Sequence, residues 1–153
     1  MHLKLVYTED CEADRKLFQI VLREIGYPVE LIICQNGEDL LKELAKPFPF
    51  SFSGSYRPVD LFITDLHLPD LEGIELTKRI RANPIMTHSS IAIYSGTIHE
   101  KKVQDSYAAG TNFFLYKPMA FHEWVYSLNG LLSFVRTIQR PRPKCHPVLK
   151  VAS

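Results

Sequence analysis

Four short stretches carry the residues able to do chemistry. Glu9 and Asp10 follow the apolar run Leu3–Tyr7, and Asp65 follows Asp60–Thr64. Ser95 follows Ile91–Tyr94, and Lys117 follows Asn112–Tyr116. Each stands at the C-terminal end of a strand-like run, which is where open α/β sheets bind ligands. Brought together, three carboxylates and one ammonium sum to −2, which is unfavourable in a partly desolvated cleft. A bound divalent cation would cancel that charge. Hard carboxylate oxygens with no nearby His or Cys cluster favour Mg2+ over Zn2+. Mg2+ beside a Lys and a hydroxyl is the equipment for handling a phosphoryl group. An Asp carboxylate can itself be the nucleophile and form an acyl phosphate.

The elements that must position these residues alternate along the chain. Strand-like runs at Leu3–Tyr7, Val29–Cys34, Asp60–Thr64, Ile91–Tyr94 and Asn112–Tyr116 are separated by helical patterns. Glu12–Ile25 has apolar residues at helical spacing and stops at Gly26. Asn36-Gly37 opens a short helix carrying Leu40, Leu41 and Leu44. Gly73–Ala82 closes at Asn83-Pro84, Glu100–Ala109 ends at Gly110, and His122–Gln139 is the longest helix. Short apolar strands separated by helices predict a parallel sheet covered on both faces. The four stretches converge if the strand order is 2-1-3-4-5. Pro47–Pro58 breaks the pattern. It holds three of the nine Phe and no acid, and predicts a long loop. Residues 140–153, with three of the ten Pro, predict a flexible tail after a domain body of residues 1–139.

Length and composition bound the answer. At 153 residues the chain fits one domain with its own core. Values of 46% apolar and 23% charged exclude disordered and low-complexity classes. Five basic residues and no acid lie between Arg136 and Lys150, leaving residues 1–135 at about −4. A mildly acidic body argues against a nucleic-acid binder. Three cysteines (Cys11, Cys34, Cys145) without CxxC spacing fit free thiols in a reducing cytoplasm. Neither a membrane span nor a secretory leader is expected.

Glu9-Asp10, the run Asp65-Leu-His-Leu-Pro-Asp-Leu-Glu-Gly73, Ser95-Gly96 and Lys117-Pro118 together resemble the response regulator receiver domain of two-component signalling, the CheY-like fold. The intervals of 30 residues from Asp65 to Ser95 and 52 to Lys117 match that family. The resemblance covers about Leu3–Gln139 and implies a flavodoxin-like (βα)5 sandwich with strand order 2-1-3-4-5, the order known for flavodoxin and the chemotaxis regulator. It implies that Asp65 accepts a phosphoryl group from a histidine kinase or phosphotransfer protein. Asp10 would bind Mg2+ directly, Glu9 through water, and His67 through its backbone carbonyl. Ser95 would hydrogen-bond a phosphoryl oxygen, Lys117 would pair with another, and Lys117–Pro118 would be a cis peptide. Phe114 stands at the family's switch-aromatic position, often Tyr. Departures are Ser for the commoner Thr at Ser95, and Gly96 for a small side chain, which opens the pocket floor. The long loop before the third strand resembles that of free-standing regulators paired with phytochrome-type kinases.

Plainer readings stand beside these. Asp65 alone could be a helix cap, and Glu9-Asp10 could cap the first helix. Ser95 could be a turn residue and Lys117 a solvated lysine. A lone His67 side chain or Cys11 thiol is ordinarily neither ligand nor redox group. Trp124 and the Leu ladder of the last helix read as core. The Phe-rich loop either caps the sheet edge or forms an interaction surface. Competing functions are a phosphatase with an Asp nucleophile, a pseudo-receiver that never takes phosphate, and a flavin binder. The phosphatase would want a general acid where His67 stands, the pseudo-receiver would not need all the acids and Lys117, and the flavin binder would want a Ser/Thr/Gly-rich loop where TEDCEAD is acidic. The expected function is therefore a phosphorylation switch without an output domain, not an enzyme beyond its own phosphorylation chemistry. It would signal by protein contact, as a monomer or a phosphorylation-dependent homodimer.

Overall fold

The computed structural model describes residues 2–51 and 56–138. The expected tail, Cys145 and Phe52 lie outside the described residues. Five strands alternate with five helices: β1 Leu3–Thr8, α1 Glu12–Ile25, β2 Val29–Cys34, α2 Gly37–Leu44, β3 Leu61–Asp65, α3 Gly73–Ala82, β4 Ser90–Ser95, α4 Glu100–Ala109, β5 Phe113–Tyr116 and α5 Phe121–Ile138. All strand pairs are parallel and the order is β2-β1-β3-β4-β5. The expected strand order and flavodoxin-like architecture hold.

Alternation along the strands sorts side chains to two faces. Leu3, Leu5 and Tyr7 of β1 join Leu61, Ile63, Ala92 and Tyr94 under α1 and α5. Val6, Ile32, Phe62 and Ile91 pack with Leu40, Leu76 and Ile80 of α2 and α3 on the other face. A smaller cluster of Leu66, Ile74 and Ile93, with Ala109 and Phe114 against it, seats α4. Every residue of β1 and β4 is buried. That is why those strands are mostly apolar, with Lys4 the one charged residue, whereas the edge strands β2 and β5 are mostly half-buried.

α1 ends where Gly26 takes φ 68 and its N–H returns to the Leu22 carbonyl at 3.1 Å, a left-handed cap that suits glycine. Trp124, Leu128, Leu132 and Val135 of α5 are buried, as the Leu ladder predicts. The Phe-rich loop divides its aromatics. Phe50 is buried with its ring edge-on to Phe62 at 5.5 Å, while Phe48 is exposed. The loop thus sends one ring into the core and leaves another at the surface. Among the described residues, no helix is long and apolar enough to cross a membrane.

Candidate functional site

The pocket is built where β1, β3 and β5 end. Glu9 leaves β1 with its N–H bonded to the Cys34 carbonyl at 3.1 Å. Its buried carboxylate accepts from the Cys11 N–H at 3.2 Å through Oε1, and from Lys117 Nζ at 2.9 Å and Tyr7 Oη at 3.4 Å through Oε2. Tyr7 is held by stacking on Phe18, with ring centroids 3.8 Å apart, and Phe18 meets Trp124 edge-on. An aromatic column between β1, α1 and α5 thus supports the floor of the site. Asp10, beside Glu9, is exposed. Arg15 ties this corner from Nη1 to the carbonyls of Glu9 and Asp10 at 2.9 and 2.8 Å.

Asp65 closes β3. Its Oδ1 accepts the His67 N–H at 3.2 Å and its Oδ2 lies 3.3 Å from Lys117 Nζ. The run from Asp65 to Gly73 loops out and returns directly beneath Asp65. The Gly73 N–H donates to the Leu66 carbonyl at 2.8 Å, and a Cβ at Gly73 would stand 2.5 Å from the Asp65 carbonyl oxygen. Only glycine fits this approach, so the motif's last residue is set by the path of the chain. Lys117 follows β5 and is aligned by its own N–H, which donates to the Ser95 carbonyl at 2.7 Å.

Carboxylate oxygens of Glu9, Asp10 and Asp65 lie within 4.8 Å of one another. An all-carboxylate donor set from three residues at this spacing fits a hard divalent cation such as Mg2+. Burial pushes the Glu9 carboxyl above its ordinary range, with the Lys117 hydrogen bond offsetting part of the rise. Burial alone would lower Lys117, but hydrogen bonds to Asp14 and Glu9 outweigh it and hold the ammonium well above its ordinary value. Lys117 is therefore a fixed positive charge among acids.

Of the residues expected from the sequence, Glu9, Asp10, Asp65 and Lys117 come together. Ser95 stands at the end of β4 and is fully buried, but its hydroxyl is turned onto its own turn. It donates to the Thr97 carbonyl at 2.6 Å and accepts the Thr97 N–H at 3.2 Å. His67 is exposed and bridges to Glu72. Phe114 is half-buried against Leu66, Ile74 and Ile93. A Cβ on Gly96 would meet nothing within 4 Å, so the floor there is open.

The expected cis peptide is corrected: no peptide bond among the described residues is cis, and Lys117–Pro118 is trans. Trans is the intrinsically preferred isomer of an X–Pro bond, and here it already delivers the Lys117 ammonium to the acids. Two participants escaped the sequence. Asp14 adds a fourth carboxylate 2.6 Å from Lys117, and Arg15 holds the corner that carries Glu9 and Asp10. Asp70, inside the Asp65–Gly73 run, docks on α2, accepting the Gly37 and Glu38 N–H groups at 3.1 and 2.8 Å.

Known proteins resemble this chain over most of its length. The chain is 28% identical over 138 residues to Response regulator Rcp1 of Synechocystis sp., covering 90% of this chain and 92% of that protein. It is 28% identical over 119 residues to the 3',5'-cyclic-nucleotide phosphodiesterase regA of Dictyostelium discoideum, with 77% of this chain covered but only 14% of that protein. It likewise spans 18% of the Sensory/regulatory protein RpfC of Xanthomonas campestris, at 25% identity over 91% of this chain. Among solved structures, the phosphorylated cyanobacterial phytochrome response regulator RcpA superposes with a TM-score of 0.77 at 23% identity, over 90% of this chain and 96% of that one. The Mn2+-bound form of Rcp1 superposes with a TM-score of 0.72 at 26% identity, over 86% and 93%. The response regulator receiver domain model matches residues 6–129, from within β1 to within α5. A match over residues 6–129, most of the chain, makes it a member of the response regulator receiver domain family, whose members are the phosphorylatable regulators of two-component signalling.

Proposed function

We propose that Asp65 is the phosphoacceptor of a phosphorylation-dependent signalling switch. One observation carries the reading: a half-buried, permanently charged Lys117 stands 3.3 Å from Asp65 Oδ2, beside a cluster of acid oxygens. Receiver domains interact with histidine kinases and phosphotransfer proteins. An Asp65 oxygen attacks the phosphorus of a phosphohistidine. The new O–P bond forms as the P–N bond breaks, and the imidazole, protonated on its other nitrogen, leaves as a neutral ring. Lys117 pairs with a phosphoryl oxygen, and Ser95 leaves its Thr97 contacts to donate to another. Glu9 (through water), Asp10, Asp65 and the His67 carbonyl would hold Mg2+, which when bound offsets the acid charge and the phosphoryl charge. The protein catalyses no reaction beyond its own phosphorylation and dephosphorylation, and works in the cytoplasm.

The output is protein contact on the face of α4, β5 and α5. Tyr107, Tyr116, Met119, Phe121 and Tyr126 are exposed there. Withdrawal of the Ser95 hydroxyl vacates space beside Phe114, whose ring is already half inside the cluster of Leu66, Ile74 and Ile93. Burying the rest of the ring is worth about 1 kcal/mol, which changes a two-state ratio about fivefold. The partner is a downstream protein or a second copy of this chain.

Acetyl phosphate with Mg2+ should add one hydroxylamine-labile phosphoryl group by intact mass. Phe114→Ala should load equally and lose the phosphorylation-dependent change in binding or dimerisation. An unmodified mass overturns the switch; a Phe114→Ala protein that switches normally overturns the route.

A further inference from the structure

The shortest contact in the pocket is to an acid outside the family motif. Lys117 Nζ lies 2.6 Å from Asp14 Oδ2, against 2.9 Å to Glu9 Oε2 and 3.3 Å to Asp65 Oδ2. An ammonium has three N–H donors, and these three carboxylates occupy them. The Asp14 side chain is 35% exposed and that of Glu9 2%, so Asp14 stands at the mouth of the pocket and Glu9 at its floor. The Asp14 backbone lies in the first turn of α1, and Arg15, the next residue, locks that turn to the carbonyls of Glu9 and Asp10. Asp14 is therefore placed by the β1–α1 corner rather than by Lys117 alone.

Resting on the switch reading above, we propose that Asp14 is a positioning residue that holds Lys117 in reserve. Its carboxylate competes with incoming phosphoryl oxygens for a Lys117 N–H and so slows the loading of Asp65. In transfer from an acyl phosphate, the Asp65 O–P bond forms as the P–O bond to the leaving carboxylate breaks. That carboxylate departs with the electron pair, and no proton moves. Charge on the transferring phosphoryl oxygens requires donors, so Lys117 must hand over one N–H. The contact it gives up is the one to Asp14. That carboxylate regains water when released, whereas the Glu9 carboxylate would be left buried without its ammonium. Asp14 also adds a negative charge at the mouth, which an anionic phosphoryl donor must pass. Both effects slow loading.

The test compares wild type, Asp14→Asn and Asp14→Glu in two arms. In the first, metal-free protein without phosphoryl donor is labelled with a trace of an amine-acylating reagent, and the Lys117 peptide is quantified. Asp14→Asn should raise Lys117 labelling about threefold, and Asp14→Glu should keep it low. In the second, acetyl phosphate loading with Mg2+ is followed by intact mass, and Mg2+ affinity is titrated separately. Asp14→Asn should load about fivefold faster while binding Mg2+ more weakly, because it removes one negative charge. A merely structural lesion would depress both, and recovery of the slow rate in Asp14→Glu ties the effect to charge. Wild type that takes no phosphoryl group overturns the switch reading and the rate claim with it. Wild type that loads, with Asp14→Asn equal or slower, overturns this inference alone, as does unchanged labelling of Lys117.

Discussion

At the scale of single residues, the site is a charge problem solved by one lysine. Lys117 serves Glu9 and Asp14 at shorter distances than Asp65, so of the three acids it touches, Asp65 is the least relieved of repulsion from its neighbours. Without metal, Asp65→Asn should therefore be more stable than wild type by about 1 kcal/mol, read as a higher urea midpoint in EDTA. Mg2+ should raise the midpoint of wild type by linkage and barely move Asp10→Asn; a destabilised Asp65→Asn would contradict the repulsion. A second residue reports on the opposite face. Burial pushes the Cys34 thiol up to about 12, with the charges of Asp39 and Glu43 adding to the rise. Because the folded value is raised, Cys34 contributes stability that is whole below pH 9 and is lost as pH climbs from there towards 12. In a Cys145→Ser background at pH 8, Cys11 should react with a disulfide reagent and Cys34 should not until urea unfolds the chain. The motif residues were legible because each follows a strand-like run closely, Asp65, Ser95 and Lys117 by one position and Glu9 by two. Asp14 was not, because its partner lies 103 residues away and no local pattern shows which face of α1 meets the end of β5.

At the scale of elements, α1, α3 and α4 were legible to the residue, whereas four of the five strands were displaced by one residue at one or both ends. Asp60 reads as the first residue of β3, yet the strand begins at Leu61, and the Asp60 carboxylate instead accepts the Lys4 N–H at 2.7 Å. Alternation cannot separate a strand residue from one that caps a neighbouring strand's hydrogen bonds. The start of α2 makes the same point. Asn36 caps it locally through the Asp39 N–H at 2.8 Å, as its sequence suggests, but Asp70 supplies two more acceptors from the loop after β3. Leu71 packs so closely that a Cβ on Gly37 would stand 2.9 Å from its own. Asp70→Ala should therefore cost about 1–2 kcal/mol. It should also slow Asp65 loading, since the same loop carries His67 and frames Asp65. Thermal melts and phosphorylation rates measured on one preparation check both. A variant that melts lower but loads normally would show that the loop keeps its shape without the α2 contact.

At the scale of the whole molecule, a doubly wound sheet brings the ends of β1, β3 and β5 to one rim, and the core on the α1/α5 face runs to Val135. Deleting residues 141–153 should shift the melting temperature by about a degree or two in a domain of this size; a larger loss would mean that those residues complete the fold. The aromatic loop was legible as a loop, but its inner and outer rings were not. Phe50 reaches the core from a backbone at φ 56, a conformation that burial of the ring stabilises and that no residue pattern announces. The central claim is that this fold makes Asp65, among the acids at the rim, the one that carries phosphate. Borohydride reduces an acyl phosphate to an alcohol and so leaves homoserine where the modified Asp stood. After loading with acetyl phosphate, reduction and peptide mapping should find homoserine at position 65 with Mg2+ present and none in EDTA. Reduction product at position 10 or 14, or none at all in Mg2+, would contradict it.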